Sequence, residues 1–180
     1  GFKAEDMKLE AFLKGFQEGV ALKEPTLTNE QLQATQGKIQ ALLTKRQAEM
    51  SVAQKSKGVK FLADNAKKEG VKTLEGGVQY KVLKAGSGPS PKPDDTVKVH
   101  YTGKLIDGSV FDSSVQRGQP ASFQANQVIK GWQIALQKMK VGDKWMLYIP
   151  SELAYGERGS SPAIGPNEVL MFEVELLGIQ

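Results

Sequence analysis

At 180 residues, 39% hydrophobic and 24% charged, the chain has room for one sizeable globular domain, or for a domain plus an appendage. The absence of cysteine excludes disulfides, thiol catalysis and Cys-based zinc sites, and a single histidine, His100, excludes a multi-His metal centre. The net charge of +4 is spread among acids without a Lys/Arg stripe interleaved with aromatics, which argues against nucleic-acid binding. No run approaches the roughly 18 apolar residues of a membrane span.

The chain starts at Gly1 with polar residues close behind, so no signal peptide is expected, and a start without Met reads as a processed or trimmed form. Leu9, Phe12, Leu13, Phe16 and Val20 then recur at helical spacing and make one apolar stripe. Glu24-Pro25 ends this helix, because the residue before proline is driven out of the α region. Thr28-Asn29-Glu30-Gln31 reads as a capping box. From there to Glu69 no proline intervenes, and Leu32, Ile39, Leu42, Leu43, Met50, Ala53 and Phe61 form a sparse stripe. A helix of roughly 40 residues would run about 60 Å, too long for one small domain to pack throughout. Its middle is therefore expected to be solvated or to meet another chain. Gly58 is read as a weak point and Gly70 as the stop.

Beyond Gly70 the period drops to two. Val78, Tyr80 and Val82 alternate with polar residues, as do Val97, Val99 and Tyr101; Trp145, Leu147 and Ile149; and Leu170, Phe172, Val174 and Leu176. Gly86 to Pro93 is a loop by composition, Leu105-Ile106-Asp107-Gly108 is a hairpin turn, and one short helix fits around Ile129 to Met139. The reading is an α+β fold in two parts. Residues 1–70 are a helical N-terminal dimerisation or linker region with a long helix over about 28–69, and residues 71–180 are a sheet domain with one helix on a face.

Common catalytic constellations are missing. There is no GxxxxGK[ST] loop and no GxGxxG after a strand. Strand alternation turns His100 away from Val99 and Tyr101, to the solvent side, which leaves no Ser-His-Asp triad. What remains is aromatic: Tyr101, Phe111, Phe123, Trp132, Tyr155 and Phe172, each open to a reading as core or as pocket lining. Tyr155 leans toward a site because a long Gly/Pro loop follows it.

The segments Val99-His100-Tyr101-Thr102-Gly103, Leu105 to Asp112, Val128-Ile129-Lys130-Gly131-Trp132, Leu153-Ala154-Tyr155-Gly156 and Phe172 to Leu177 together resemble the FKBP family of peptidyl-prolyl cis-trans isomerases over residues 72 to 179. The resemblance implies a twisted antiparallel sheet wrapped on a short helix, with the active site between them. It implies that Tyr101, Phe111, Phe123, Val128, Ile129, Trp132, Ile164 and Phe172 bind substrate, with Trp132 as floor and Ile164 overhanging. It assigns catalytic roles to Asp112 and Tyr155, and Arg117 would orient Asp112. Xaa-Pro exchange breaks no bond, and no cofactor is expected. Ala121 stands where several members carry a rim aromatic, so a more open rim is expected, and Gln127 replaces an acid at the pocket edge.

The helical part is similar to the bacterial macrophage infectivity potentiator group, whose N-terminal region forms homodimers. A homodimer of the full-length protein follows as an expectation, as do chaperone activity, unfolded or proline-containing clients, and macrolides of the FK506/rapamycin type as inhibitors. A further helical segment precedes the first helix in that group. The expected location is the periplasm or cell envelope, with the cytoplasm as alternative. The competing function is a chiefly non-catalytic chaperone or scaffold acting through the N-terminal helices.

Overall fold

The computed structural model describes residues 29–180. The expected first helix carrying Leu9 to Val20, and the capping box at Thr28, lie outside the described residues. The chain divides into two compact units, Gly1–Gln47 and Ala48–Gln180, with the break inside the first described helix, α1 (Asn29–Asn65).

In the first unit, the α1 residues Ile39, Leu42 and Leu43 are exposed. In the second unit, the rest of α1 belongs with the sheet, and the face it presents is mostly polar. Gln79 joins two parts of the contact: its Oε1 accepts from Asn65 Nδ2 (2.9 Å), and its Nε2 donates to the Leu62 carbonyl (2.8 Å). Phe61 lies 6.0 Å from the Tyr148 ring. Gly58 is no weak point. The helix runs through it unbroken, and a Cβ there would come within 2.7 Å of Val169 Cγ2, so the glycine permits close approach. The helix stops at Asn65, four residues short of the expected Glu69, and the chain turns at Gly70, whose φ of 78° suits a residue without Cβ.

Seven antiparallel strands follow: β1 (Val71–Thr73), β2 (Gln79–Lys84), β3 (Thr96–Leu105), β4 (Val110–Ser113), β5 (Ala121–Gln124), β6 (Lys144–Ile149) and β7 (Leu170–Ile179), with the helix α2 (Lys130–Leu136) between β5 and β6. The sheet order is β1-β2-β6-β7-β3-β4. β3 is the spine. One edge pairs with β7 along almost its whole length, and the other is shared, Thr96–Val99 with β5 and Thr102–Lys104 with β4.

The period-two reading holds on β3, β6 and β7. Val97, Val99 and Tyr101, then Trp145, Leu147 and Ile149, then Leu170, Phe172, Val174 and Leu176, are all buried on one face. It fails on β2. Tyr80 stacks on Trp145 at 4.2 Å between ring centres, but Val82 is 41% exposed, because β2 lies next to the short terminal strand β1. The buried face packs against α2 through Trp132, Ala135 and Leu136. The helix backbone lies directly on β6, since a Cβ at Gly131 would sit 2.3 Å from Ile149 Cγ2. Burial of this apolar layer supplies the main drive to fold, at about 25 cal/mol per Å².

Candidate active site

Between α2 and the outer half of β3 lies a cavity of about 370 Å³, within the size range of small-ligand sites. Tyr101, Phe111, Asp112, Phe123, Gln127, Val128, Ile129, Trp132, Tyr155 and Phe172 line it. Each comes from a different local cause. Tyr101 and Phe172 are inward residues of the adjacent strands β3 and β7, and Phe123 is one on β5. Trp132 sits in the first turn of α2. Its ring makes near-perpendicular contacts with Tyr101 (5.4 Å between ring centres), Phe172 (5.3 Å) and Phe123 (6.0 Å). Edge-to-face packing of this kind fixes the rings beyond what burial alone does.

Phe111 and Asp112 are neighbours in sequence, and on a regular strand they would face opposite ways. The register explains how both reach the cavity. Gly103 pairs with Asp112 and Lys104 with Val110, so Phe111 is the extra residue of a bulge. A Cβ at Gly103 would lie 2.5 Å from Phe111 Cζ and 2.8 Å from Phe172 Cε1. The glycine is the space that both rings occupy.

The polar corner is a linked set. The Tyr101 hydroxyl donates to Asp112 Oδ2, Arg117 Nη1 pairs with Asp112 Oδ1, and Arg117 Nη2 donates to the Tyr101 oxygen at 3.0 Å. Burial works against ionisation of Asp112. The hydrogen bonds from Tyr101 and Arg117, with the guanidinium charge, outweigh it and hold the carboxyl below the usual carboxylate range. Burial, then the bond to Asp112, pushes the Tyr101 phenol upward, so it stays a donor. At the other lip Tyr155 is 41% exposed, and among the described residues nothing hydrogen-bonds its hydroxyl.

Ile164 is not among the residues that line the cavity, but it belongs to the same buried cluster as Tyr101, Trp132 and Phe172. Its N–H and carbonyl both pair with Ser160 (2.9 and 2.8 Å), which folds the loop back and packs its side chain into the core. Arg117 pairs with Asp112, as expected of an orienting residue, and does so from behind the carboxylate without lining the wall. His100 is on the opposite face of β3, its Nδ1 3.0 Å from Ser114 Oγ. Ser114 is completely buried and its Oγ accepts the Tyr101 N–H (2.8 Å), so the pair is structural and no nucleophile.

The sequence reading missed Ser113 and Ser114. Ser114 holds the Tyr101 backbone. Ser113 Oγ contacts Thr102 Oγ1 (2.8 Å) and accepts from the Gln116 N–H (3.2 Å), fixing the turn that presents Arg117. The signal available was a pair of serines at the end of the hairpin strand and directly after it, the residue type that caps turns. Gln133, whose Nε2 donates to the carbonyls of Val128 (2.7 Å) and Asn126 (3.1 Å), was also missed; it braces the loop entering α2.

Comparison with known proteins agrees with this architecture. Residues 88–177 match the family model of FKBP-type peptidyl-prolyl cis-trans isomerase, and residues 2–82 match that of the domain amino terminal to FKBP-type peptidyl-prolyl isomerase. The FKBP-type peptidyl-prolyl cis-trans isomerase FkpA of Aeromonas hydrophila is 51% identical over 172 residues, covering 93% of this chain and 63% of that protein. Outer membrane protein MIP of Legionella longbeachae is 44% identical over 179 residues, covering 97% of this chain and 77% of that one. The crystal structure of FkpA from Escherichia coli superposes with a TM-score of 0.85 at 39% identity, covering 97% of this chain and 83% of that one. The chain thus spans less than two thirds of the Aeromonas relative. With both family models matched in order and the aromatic cavity seated between sheet and helix, the chain belongs to the FKBP-type peptidyl-prolyl cis-trans isomerases.

Proposed function

We propose that this chain accelerates cis/trans exchange of Xaa-Pro bonds in protein folding. The observation that carries the reading is the aromatic cavity with Trp132 as its floor. Amide resonance imposes a barrier of about 18–20 kcal/mol. The twisted amide has lost that resonance, and its carbonyl is less dipolar than in the planar ground state. An apolar enclosure therefore favours the twisted state relative to water, which is differential binding and not bond-making chemistry.

In this reading Trp132, Phe111 and Phe172 hold the prolyl ring, while Phe123, Val128 and Ile129 complete the apolar enclosure beside Tyr101. Tyr155 donates its free hydroxyl to a substrate carbonyl and fixes its orientation. Asp112, kept anionic and aimed by Arg117 and Tyr101, acts electrostatically on the bound amide and transfers no proton. The test is a chromogenic Xaa-Pro peptide assay on Tyr155→Phe combined with Trp132→Ala. The expected loss is at least about tenfold, equivalent to about 1.4 kcal/mol of barrier, with circular dichroism confirming the fold. An unchanged rate rejects the pocket assignment. Macrolides of the FK506/rapamycin type should compete for the same cavity.

The N-terminal region over residues 1–70 would pair two copies, letting residues 71–180 of each act on one unfolded client as chaperone and isomerase. A homodimer by sedimentation that outperforms the isolated sheet domain only on protein substrates would support this arrangement. A periplasmic or envelope location is supported by the name of the Legionella relative; among the described residues no helix is long and apolar enough to cross a membrane. The exposed Ile39, Leu42 and Leu43 on α1 favour a second reading, a chiefly non-catalytic chaperone. Aggregation suppression that survives deletion of residues 72–180 would select it.

A further inference from the structure

We propose that Ser51, on α1, and Asn167, in the loop before β7, are positioning residues that hold the Tyr155 lip of the cavity. The docked part of α1 would then belong to the isomerase site without touching substrate. This rests on the role given above to Tyr155.

Asn167 is the only described non-glycine residue with positive φ (56°), and it is 5% exposed. A left-handed backbone at a buried asparagine costs free energy and persists only where surrounding contacts fix it. Those contacts come from two directions. Its Nδ2 donates to Ser51 Oγ at 2.7 Å and to the Ser51 carbonyl at 3.3 Å. Its backbone N–H donates to the Gly156 carbonyl at 2.9 Å. Gly156 directly follows Tyr155 and opens the short 3-10 turn Gly156–Arg158.

The flanking residues tighten the same seam. Gln54 Nε2 donates to Glu168 Oε2 at 2.6 Å, and Gly58 admits Val169. The chain then enters β7, whose third residue is the cavity wall Phe172. Ser51, Gln54 and Gly58 follow helical spacing, so one face of α1 clamps three successive residues, Asn167, Glu168 and Val169. Tyr155 needs such support. It lies on a loop, it is 41% exposed, and no described residue bonds its hydroxyl. A hydroxyl that must meet a substrate carbonyl gains from a backbone held in advance.

The experiment uses the full chain. Ser51→Ala, Ser51→Thr and Asn167→Gly, which keeps the left-handed backbone but removes the amide, are assayed on an Xaa-Pro peptide with kcat and KM separated. Each is made in the wild-type and in the Tyr155→Phe background. Ser51→Ala and Asn167→Gly should lower kcat about threefold or more, the range for one neutral hydrogen bond. Ser51→Thr should restore it, and neither loss should appear once Tyr155 is phenylalanine. Equal fold-losses in both backgrounds, or no loss from either variant, overturn the proposal.

A second readout is independent of catalysis. With tyrosines labelled as 3-fluorotyrosine, and the Tyr155 signal assigned by its disappearance in Tyr155→Phe, Ser51→Ala should sharpen that resonance as the ring gains motion. An inactive wild type whose Tyr155 signal still sharpens rejects the enzymatic reading and keeps the positional link. A signal unchanged by Ser51→Ala overturns the link.

Discussion

The place where a Cβ of Gly103 would stand is filled by the ring of Phe111, 2.5 Å away, although the two residues lie on different strands. This void-for-ring exchange brings the bulged residue of β4 over the cavity. Gly103→Ala should therefore act as an overpacking change, costing about 1–3 kcal/mol, and should lower isomerase activity because Phe111 and Phe172 both have to move. Thermal unfolding beside the peptide assay checks this. A stable, fully active alanine variant would refute the account.

Two glycines of α1 should respond in opposite ways to alanine. Nothing lies within 4 Å of a Cβ at Gly37, so Gly37→Ala should stabilise the helix, by about 0.5–1 kcal/mol from propensity alone. At Gly58 the new methyl would press within 2.7 Å of Val169, a stiff side chain that is itself buried, and the sign should reverse. Helicity and melting of the two variants, measured in parallel, decide the point.

The carboxyl of Asp112 titrates below its ordinary 3.8, since the bonds from Tyr101 and Arg117 outweigh the opposing effect of burial. A depressed carboxyl stabilises the fold above its unfolded value and loses that contribution as pH falls through the native one. The difference in stability between wild type and Asp112→Asn should be constant from neutral pH down to about pH 5 and shrink below it. Because the pair is about half exposed, at 46% for Arg117 and 41% for Asp112, screening keeps the effect small. Removing Arg117 should reduce activity more than stability, since it frees Asp112 and Tyr101 to reorient.

Glu168 carries the opposite sign. Burial raises it above the ordinary 4.5, against the bond from Gln54. Its contribution is complete below the unfolded value and is lost as pH rises through the native one. Glu168→Gln keeps an acceptor for Gln54 and should flatten the stability profile just above the ordinary glutamate range. Denaturant unfolding at a series of pH values tests this, and a profile identical to wild type would contradict it.

The sheet was legible because β3, β6 and β7 each bury one face, and a two-residue period records that directly. The cavity aromatics were legible through their motifs and through the loop after Tyr155. The helix seam was not. Ser51, Gln54, Gly58 and Asn65 are polar or side-chain-free, and a search for apolar stripes passes over a face held by hydrogen bonds and close approach. How Ile164 is held was not legible for a related reason. A motif names its position in the loop, but the pairing with Ser160 decides which way the loop folds. Likewise no periodicity marks Phe111 as the bulged residue, because the register depends on how β4 meets β3.

β4 and β5 each occupy only part of the outer edge of β3, and the chain crosses between them over residues 114–120. Neither ladder depends on the length of that crossing, and loop-closure cost grows only slowly with length. The segment carries Arg117, which reaches the cavity only through Asp112 and Tyr101, and beyond the buried Ser114 it adds nothing to the hydrophobic core. Between the fixed points Ser114 and Arg117, and from there to residue 120, it is thus a place where descendants of this fold can insert or recharge residues and acquire new client preferences, with the folding unit left untouched.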